Sequence, residues 1–154
     1  LVARFVLLAL QEYPLLASRL SDDATELTNF DGINLGIAVD SERGLSVPVL
    51  PRADALSIAQ LDTALRELSA EARTGRLAPA RLTGSTFTFN NYGGFGVDGS
   101  AAIINHPEVA ILGMGRVIER PWVVDGEIVV RRIAQISLAF DHRVCDGGYA
   151  AGKS

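Results

Sequence analysis

A chain of 154 residues and about 16.4 kDa is the size of one domain or most of one, and its 14 basic against 18 acidic residues leave a net charge of −4. That balance argues against a nucleic-acid surface or a polybasic membrane patch, both of which need concentrated positive charge. With 48% hydrophobic and 21% charged residues the chain can bury a core and is not disordered.

The single cysteine, Cys145, excludes an internal disulfide and fits a reducing compartment. Two histidines, His106 and His142, leave little for a zinc site, so no metal is expected. The longest apolar stretch, Phe5–Leu10, is far short of the ~20 residues of a membrane span. The sequence opens at Leu1 inside an apolar run, with no initiator Met and no basic prefix of the kind a signal peptide needs, so the start is read as a cut.

Leu1–Glu12 reads as a helix with Val2, Phe5, Val6 and Ala9 on one stripe, ended by Pro14. Ile33–Val39 and Leu45–Leu50, with Glu42-Arg43-Gly44 between them, read as a hairpin. Ile58, Leu61, Leu65, Leu68 and Ala72 recur at steps of three and four, which predicts an amphipathic helix. Ser57 and Gln60 have the spacing of a capping box at its start, and Gly75 stops it.

After Pro79 the pattern turns to strand: Ser85–Phe89, Val109–Gly113, and 122–124 with 128–130 around an Asp125-Gly126 turn. In the last strand, Ala134–Phe140, residues Ile136, Leu138 and Phe140 share a face. The fold class is α+β, a mixed sheet with two helices and a late block of strands.

Gly94-Phe95-Gly96-Val97-Asp98-Gly99 spells G-x-G-x-x-G after a strand, but Ser100–His106 is too short for the helix a dinucleotide loop requires. A glycine-rich turn needing positive φ is the preferred reading. His106, next to Pro107, reads as a surface turn histidine. Cys145 has Asp146 beside it, which works against a reactive thiolate and favours a small core-filling role.

Asp141-His142-Arg143-Val144-Cys145-Asp146-Gly147 is different, because it ends an apolar strand with a titratable cluster. His142 can take up or release a proton near pH 7, and Arg143 lies between two carboxylates and could pair with either. A solvated strand end with an incidental salt bridge fits these residues equally well.

Three segments together resemble the catalytic domain of the 2-oxo acid dehydrogenase dihydrolipoamide acyltransferases. Asp141–Gly147 has the D-H-R-x-x-D-G form, Gly84–Gly93 is similar to G-x-T-F-T-h-[ST]-N-x-G, and Asn105–Gly113 is similar to N-x-P-E-V-A-I-L-G. The resemblance runs essentially end to end and covers roughly the later two-thirds of such a domain, so residues 1–154 are expected to be a single catalytic domain lacking its N-terminal part and C-terminal helix.

It implies a chloramphenicol acetyltransferase-like fold, homotrimers that build a cubic or dodecahedral core, and acyl transfer between dihydrolipoamide and coenzyme A. The lipoyl group would be carried on a separate domain. Partners would be the decarboxylase and dihydrolipoamide dehydrogenase components, in the bacterial cytoplasm or the mitochondrial matrix. By the same resemblance His142 is the general base, Asp146 orients it through an arginine such as Arg143 or one outside this chain, and Asn90 stands where the family has its oxyanion donor.

Asn90 departs from the family's Ser or Thr. An amide can donate there, but Asn91, Thr88 or a backbone N–H are alternatives. The family also splits histidine and oxyanion donor between subunits. The Asn90–Gly93 and Gly96–Gly99 region resembles branched-chain or broad-range members more than pyruvate or succinyl ones. Two other readings remain open: another H-x-x-x-D acyltransferase of the same fold, or a catalytically inactive structural core module.

Overall fold

The computed structural model describes residues 1–41 and 44–152. Helix α1 (Val2–Glu12) ends before a 3-10 turn, Pro14–Ala17, that begins with the expected proline. Two short strands follow, β1 (Arg19–Leu20) and β2 (Leu27–Thr28), paired antiparallel. Next come β3 (Leu35–Ile37), β4 (Val39–Ser41), β5 (Gly44–Ser46) and β6 (Val49–Leu50). Here β4 pairs with β5 and β3 with β6, both antiparallel, so the expected hairpin forms in two steps. Glu42 and Arg43 of its connection lie outside the described residues.

Helix α2 (Ile58–Arg73) begins with the full capping box: the Ser57 hydroxyl accepts from the Gln60 N–H, and the Gln60 side chain accepts from the Ser57 N–H. It ends as a Schellman motif. Gly75 N–H reaches Ala72 O, Arg76 N–H reaches Glu71 O, and Gly75 supplies the left-handed residue at φ +66°. Leu61, Leu68 and Ala72 are buried and Leu65 half-buried, whereas Ile58 overhangs into solvent at the first turn.

Strands β7 (Phe87–Asn91), β8 (Ala110–Met114), β9 (Ile118–Val124), β10 (Glu127–Ile133) and β11 (Ile136–Phe140) complete the chain with a short α3 (Gly147–Ala150). The central sheet has the order β11-β8-β7-β3-β6, with β8, β7 and β3 parallel and the two outer strands antiparallel to their neighbours. The expected α+β mixed sheet flanked by helices is what forms. Strands β9 and β10 make a separate two-stranded ribbon closed by Asp125 and Gly126, both at positive φ as a two-residue hairpin turn requires.

Register puts Leu35, Ile37, Phe87, Phe89, Leu112, Ala110, Leu138 and Phe140 on one face. That face packs against Ala3, Val6, Leu7 and Leu10 of α1 and Leu61 and Leu68 of α2. The burial of α1 corrects the expected stripe by one residue: Phe5, expected inward, is 61% exposed. The run is apolar almost all round, so spacing alone leaves the phase open, and Leu7 and Leu10 fill the space above the sheet where Ala9 could not. Phe87, 1% exposed at the centre, is worth ~3–5 kcal/mol against truncation to Ala.

The opposite face is polar where β7 and β8 begin. Glu108 is buried there, and its Oε1 accepts from Ser85 Oγ, from Thr88 Oγ1 at 2.9 Å and from Asn105 Nδ2 at 3.2 Å. Its Oε2 is buried with no hydrogen-bond partner among the described residues. Burial pushes this carboxyl above its ordinary value, against the opposing pull of those three donors and of Arg19.

Candidate functional site

His142 and Asn90 stand at opposite ends of the central sheet. Asn90 pairs with Gly113, and Gly113 with Ser137 of β11. From Ser137, β11 runs away from Asn90 towards Phe140 opposite Ala110, and His142 follows. At ~3.3 Å per residue this places the two side chains roughly 15 Å apart along the strands, with two further strand spacings across. A single reacting atom cannot touch both from one copy of the chain.

At the β11 end, the Asp141 N–H donates to Val109 O at 2.8 Å, carrying the ladder one residue beyond β11. The chain then turns, with Val144 N–H donating to Asp141 O at 3.0 Å. His142 is exposed, and its ring packs against Phe140 at 4.8 Å between centroids, tilted by 43°. No hydrogen bond holds the imidazole among the described residues, so both nitrogens are open to a ligand.

Arg143 settles its choice of carboxylate here. Its Nη2 donates to Asp141 Oδ2 at 2.7 Å, its Nε lies 3.0 and 3.1 Å from the two oxygens, and its backbone N–H donates to Oδ1 at 2.9 Å. The Arg143 guanidinium holds the Asp141 carboxyl below its usual range. Of the two carboxylates left open by the sequence, Arg143 thus takes Asp141 and is not bonded to Asp146. Asp146 Oδ1 instead accepts from Tyr149 N–H at 2.9 Å and caps α3. Tyr149 in turn stacks edge-on against Tyr13, ring centroids 5.4 Å apart, so this cap ties the turn back to α1. The Cys145 thiol is half-buried beside the core and is pushed up by burial and then by Asp146 and Asp141, as expected of an unreactive filler.

At the other end, Asn90 opens into a cleft of about 440 Å³ bordered by Ile37, Val39, Leu65, Phe89 and Phe95, with Ser69 and Arg73 from α2. The Asn90 amide has no hydrogen-bond partner among the described residues and is free to donate. Of the alternatives, the Thr88 hydroxyl proton is committed to Glu108, whereas Asn91 Oδ1 accepts from Gly93 N–H at 3.1 Å and leaves the Asn91 Nδ2 donor available.

The glycine-rich segment beside the cleft is a turn. Gly96 sits at φ +77°, and among the described residues no helix lies between it and β8. Asp98 clamps it to β9 through Arg116 and Arg120, and Gly115 is required because a Cβ there would overlap the Asp98 carbonyl. His106 is a surface histidine whose Nε2 lies 3.4 Å from Asp22. Sequence reasoning left Arg143 open to either Asp141 or Asp146, and it missed the walls that α2 lends to the cleft.

Residues 1–153 match the family model of the 2-oxoacid dehydrogenases acyltransferase (catalytic domain). The dihydrolipoyllysine-residue acetyltransferase component of the pyruvate dehydrogenase complex of Staphylococcus aureus is 43% identical over 146 residues, which is 95% of this chain and 34% of the relative. The chain thus spans about a third of such relatives. Among solved structures, the dihydrolipoamide acetyltransferase of Azotobacter vinelandii matches with a TM-score of 0.88 at 36% identity, covering 98% of this chain and 64% of that one.

In that protein a serine, a histidine and an asparagine have been investigated for their role in the catalytic mechanism, and their intervals along its chain equal those of Asn90, His142 and Asp146. The cubic core of the pyruvate dehydrogenase multienzyme complex matches with a TM-score of 0.88 at 35% identity, covering 98% and 64% of the two chains. Chloramphenicol acetyltransferase, at 15% identity and a TM-score of 0.51 over 97% and 70% of the chains, shares the fold. The pyruvate dehydrogenase names lend no support to the branched-chain expectation.

Proposed function

Because this chain belongs to the catalytic-domain family of the 2-oxoacid dehydrogenase acyltransferases, we propose that it transfers an acyl group between dihydrolipoamide and coenzyme A at a site shared between copies. The observation that carries the reading is the pairing of an exposed, unbonded His142 at one end of the sheet with an unbonded Asn90 amide in a cleft at the other. The equal intervals to the serine, histidine and asparagine of the Azotobacter enzyme support the same residues.

In the forward direction, His142 accepts the proton of the coenzyme A thiol, which at an ordinary thiol pKa of ~8.5 is mostly protonated at neutral pH. The thiolate attacks the carbonyl carbon of the acyl-dihydrolipoamide thioester, and the carbonyl oxygen takes up negative charge. Asn90 of a neighbouring copy donates a hydrogen bond to that oxygen. The carbon–sulfur bond to dihydrolipoamide then breaks, and the departing sulfur recovers the proton from His142. Asp146 contributes by capping α3 and fixing the turn that follows the histidine, without transferring a proton.

A trimer that assembles further into a cubic core supplies the neighbouring copy, as the matched cubic core suggests. Its partners would be the lipoyl domain and the decarboxylase and dihydrolipoamide dehydrogenase components, and its compartment the bacterial cytoplasm. Acetyl is the favoured acyl group, since the relatives are named for pyruvate dehydrogenase.

The test is acyl transfer by the full-length assembled protein from acetyl- and isobutyryl-dihydrolipoamide to coenzyme A. Transfer of acetyl in preference to isobutyryl is expected. The reverse preference restores the branched-chain reading, and transfer of neither by an intact assembly leaves a structural core module.

A further inference from the structure

The D-H-R turn is built as a closed electrostatic unit around the histidine. Asp141 and Arg143 flank His142 and bond to each other through two guanidinium nitrogens and a backbone N–H, at 2.7–3.1 Å. The Asp141 side chain is 21% exposed and that of Arg143 63%, so the carboxylate is the anchored partner and the guanidinium folds over it from solvent. The pair fixes the residues on both sides of His142, whose own ring packs against Phe140 and has no hydrogen bond among the described residues. We propose that Asp141 and Arg143 are positioning residues for the base, a mutually neutralising clasp that orients the His142 turn. This rests on His142 being the base.

The surroundings leave that role to the clasp. On the same turn the other titratable groups are Cys145, whose thiol is pushed up by burial, and Asp146, which is engaged with the α3 N-terminus. Beside the adjoining strand the groups are Glu108, whose carboxyl burial pushes up, and Arg19 of β1, whose backbone pairs with that of Glu108. A lone carboxylate beside an imidazole favours the imidazolium, and a lone guanidinium disfavours it; bonded together, the two nearly cancel. A bidentate Arg–carboxylate pair also fixes a geometry that Lys cannot reproduce.

The experiment is the pH dependence of kcat/KM for acyl transfer by the full-length assembled protein at low ionic strength, where such effects are least screened. Asp141→Asn leaves the guanidinium unbalanced and should move the acidic limb to lower pH. Arg143→Gln leaves the carboxylate unbalanced and should move it to higher pH, each by about half a pH unit for partners this close and this exposed. The double variant should return the limb to its wild-type position while keeping a several-fold lower kcat. Arg143→Lys, which keeps the charge but loses the fork, should lower kcat without moving the limb.

Limbs that shift in the same direction in both single variants, or stay still in both, overturn the clasp. Transfer left unchanged by His142→Ala overturns the base assignment instead, so the two failures are distinguishable.

Discussion

The two ends of the central sheet are finished in contrasting ways. At the β11 end a tight turn, braced by one arginine and one cap, presents a bare imidazole on an open surface. At the β7 end a strand delivers an amide into a cleft walled by α2 and the first hairpin. Each end carries one of the two candidate groups, an imidazole at one and an amide donor at the other. A sheet of five strands cannot fold its own ends together, so on the proposed function such a site needs another copy to complete it, and acyl transfer would then depend on assembly.

The largest expected effect is at the open end. His142→Ala should lower acyl transfer by ~10²–10⁴, measured as kcat in the assembled protein. At the cleft end, Asn90→Asp replaces a donor with an acceptor of similar size and should cost ~10²–10³ in kcat with little change in KM, while Asn90→Ser should recover much of it. Mixing breaks the comparison directly. Co-assembled His142→Ala and Asn90→Asp copies should regain about a quarter of wild-type activity if each site draws one residue from each of two copies in a head-to-tail ring. Recovery of nothing would mean that both residues act within one copy.

Smaller effects concern how each end is held. Asp146→Ala should lower stability by about 1 kcal/mol through loss of the α3 cap, read from thermal or denaturant unfolding, whereas Asp146→Asn should retain it. At Glu108 the folded carboxyl is raised above its ordinary 4.5, so the folded state holds the proton more tightly than the unfolded chain. Its contribution is therefore fully present below that value and is lost as pH rises through the folded value. Glu108→Gln should flatten this slope, so that its melting temperature relative to wild type improves from acid towards neutral pH. An unchanged difference across that range would mean that Glu108 is ionised without penalty in the fold.

Much of the local structure was legible because local geometry alone decides it. Ser57 with Gln60 caps α2, Gly75 ends it and Asp125-Gly126 closes the ribbon, each within a few residues. The phase of α1 was not legible, since an almost wholly apolar run satisfies the same spacing from Val2 or from Ala3. Nor was the partner of Arg143, with a carboxylate available on either side. The orphaned Oε2 of Glu108 has no signature in sequence at all, because it depends on Ser85, Thr88 and Asn105 arriving on one oxygen.

The residues by themselves determined the family, the α+β class, the turn chemistry and the identity of the candidate base, all through short ordered patterns in which side-chain type and spacing carry the information. Only the tertiary structure decided that Asn90 and His142 point to opposite ends of one sheet, that Asp141 rather than Asp146 holds Arg143, and that α2 walls the cleft. The sheet ends and the cleft depend on strand order and register between segments far apart in the chain, and the choice at Arg143 on how the turn after β11 closes, so that packing, and not residue spacing, selects the contact.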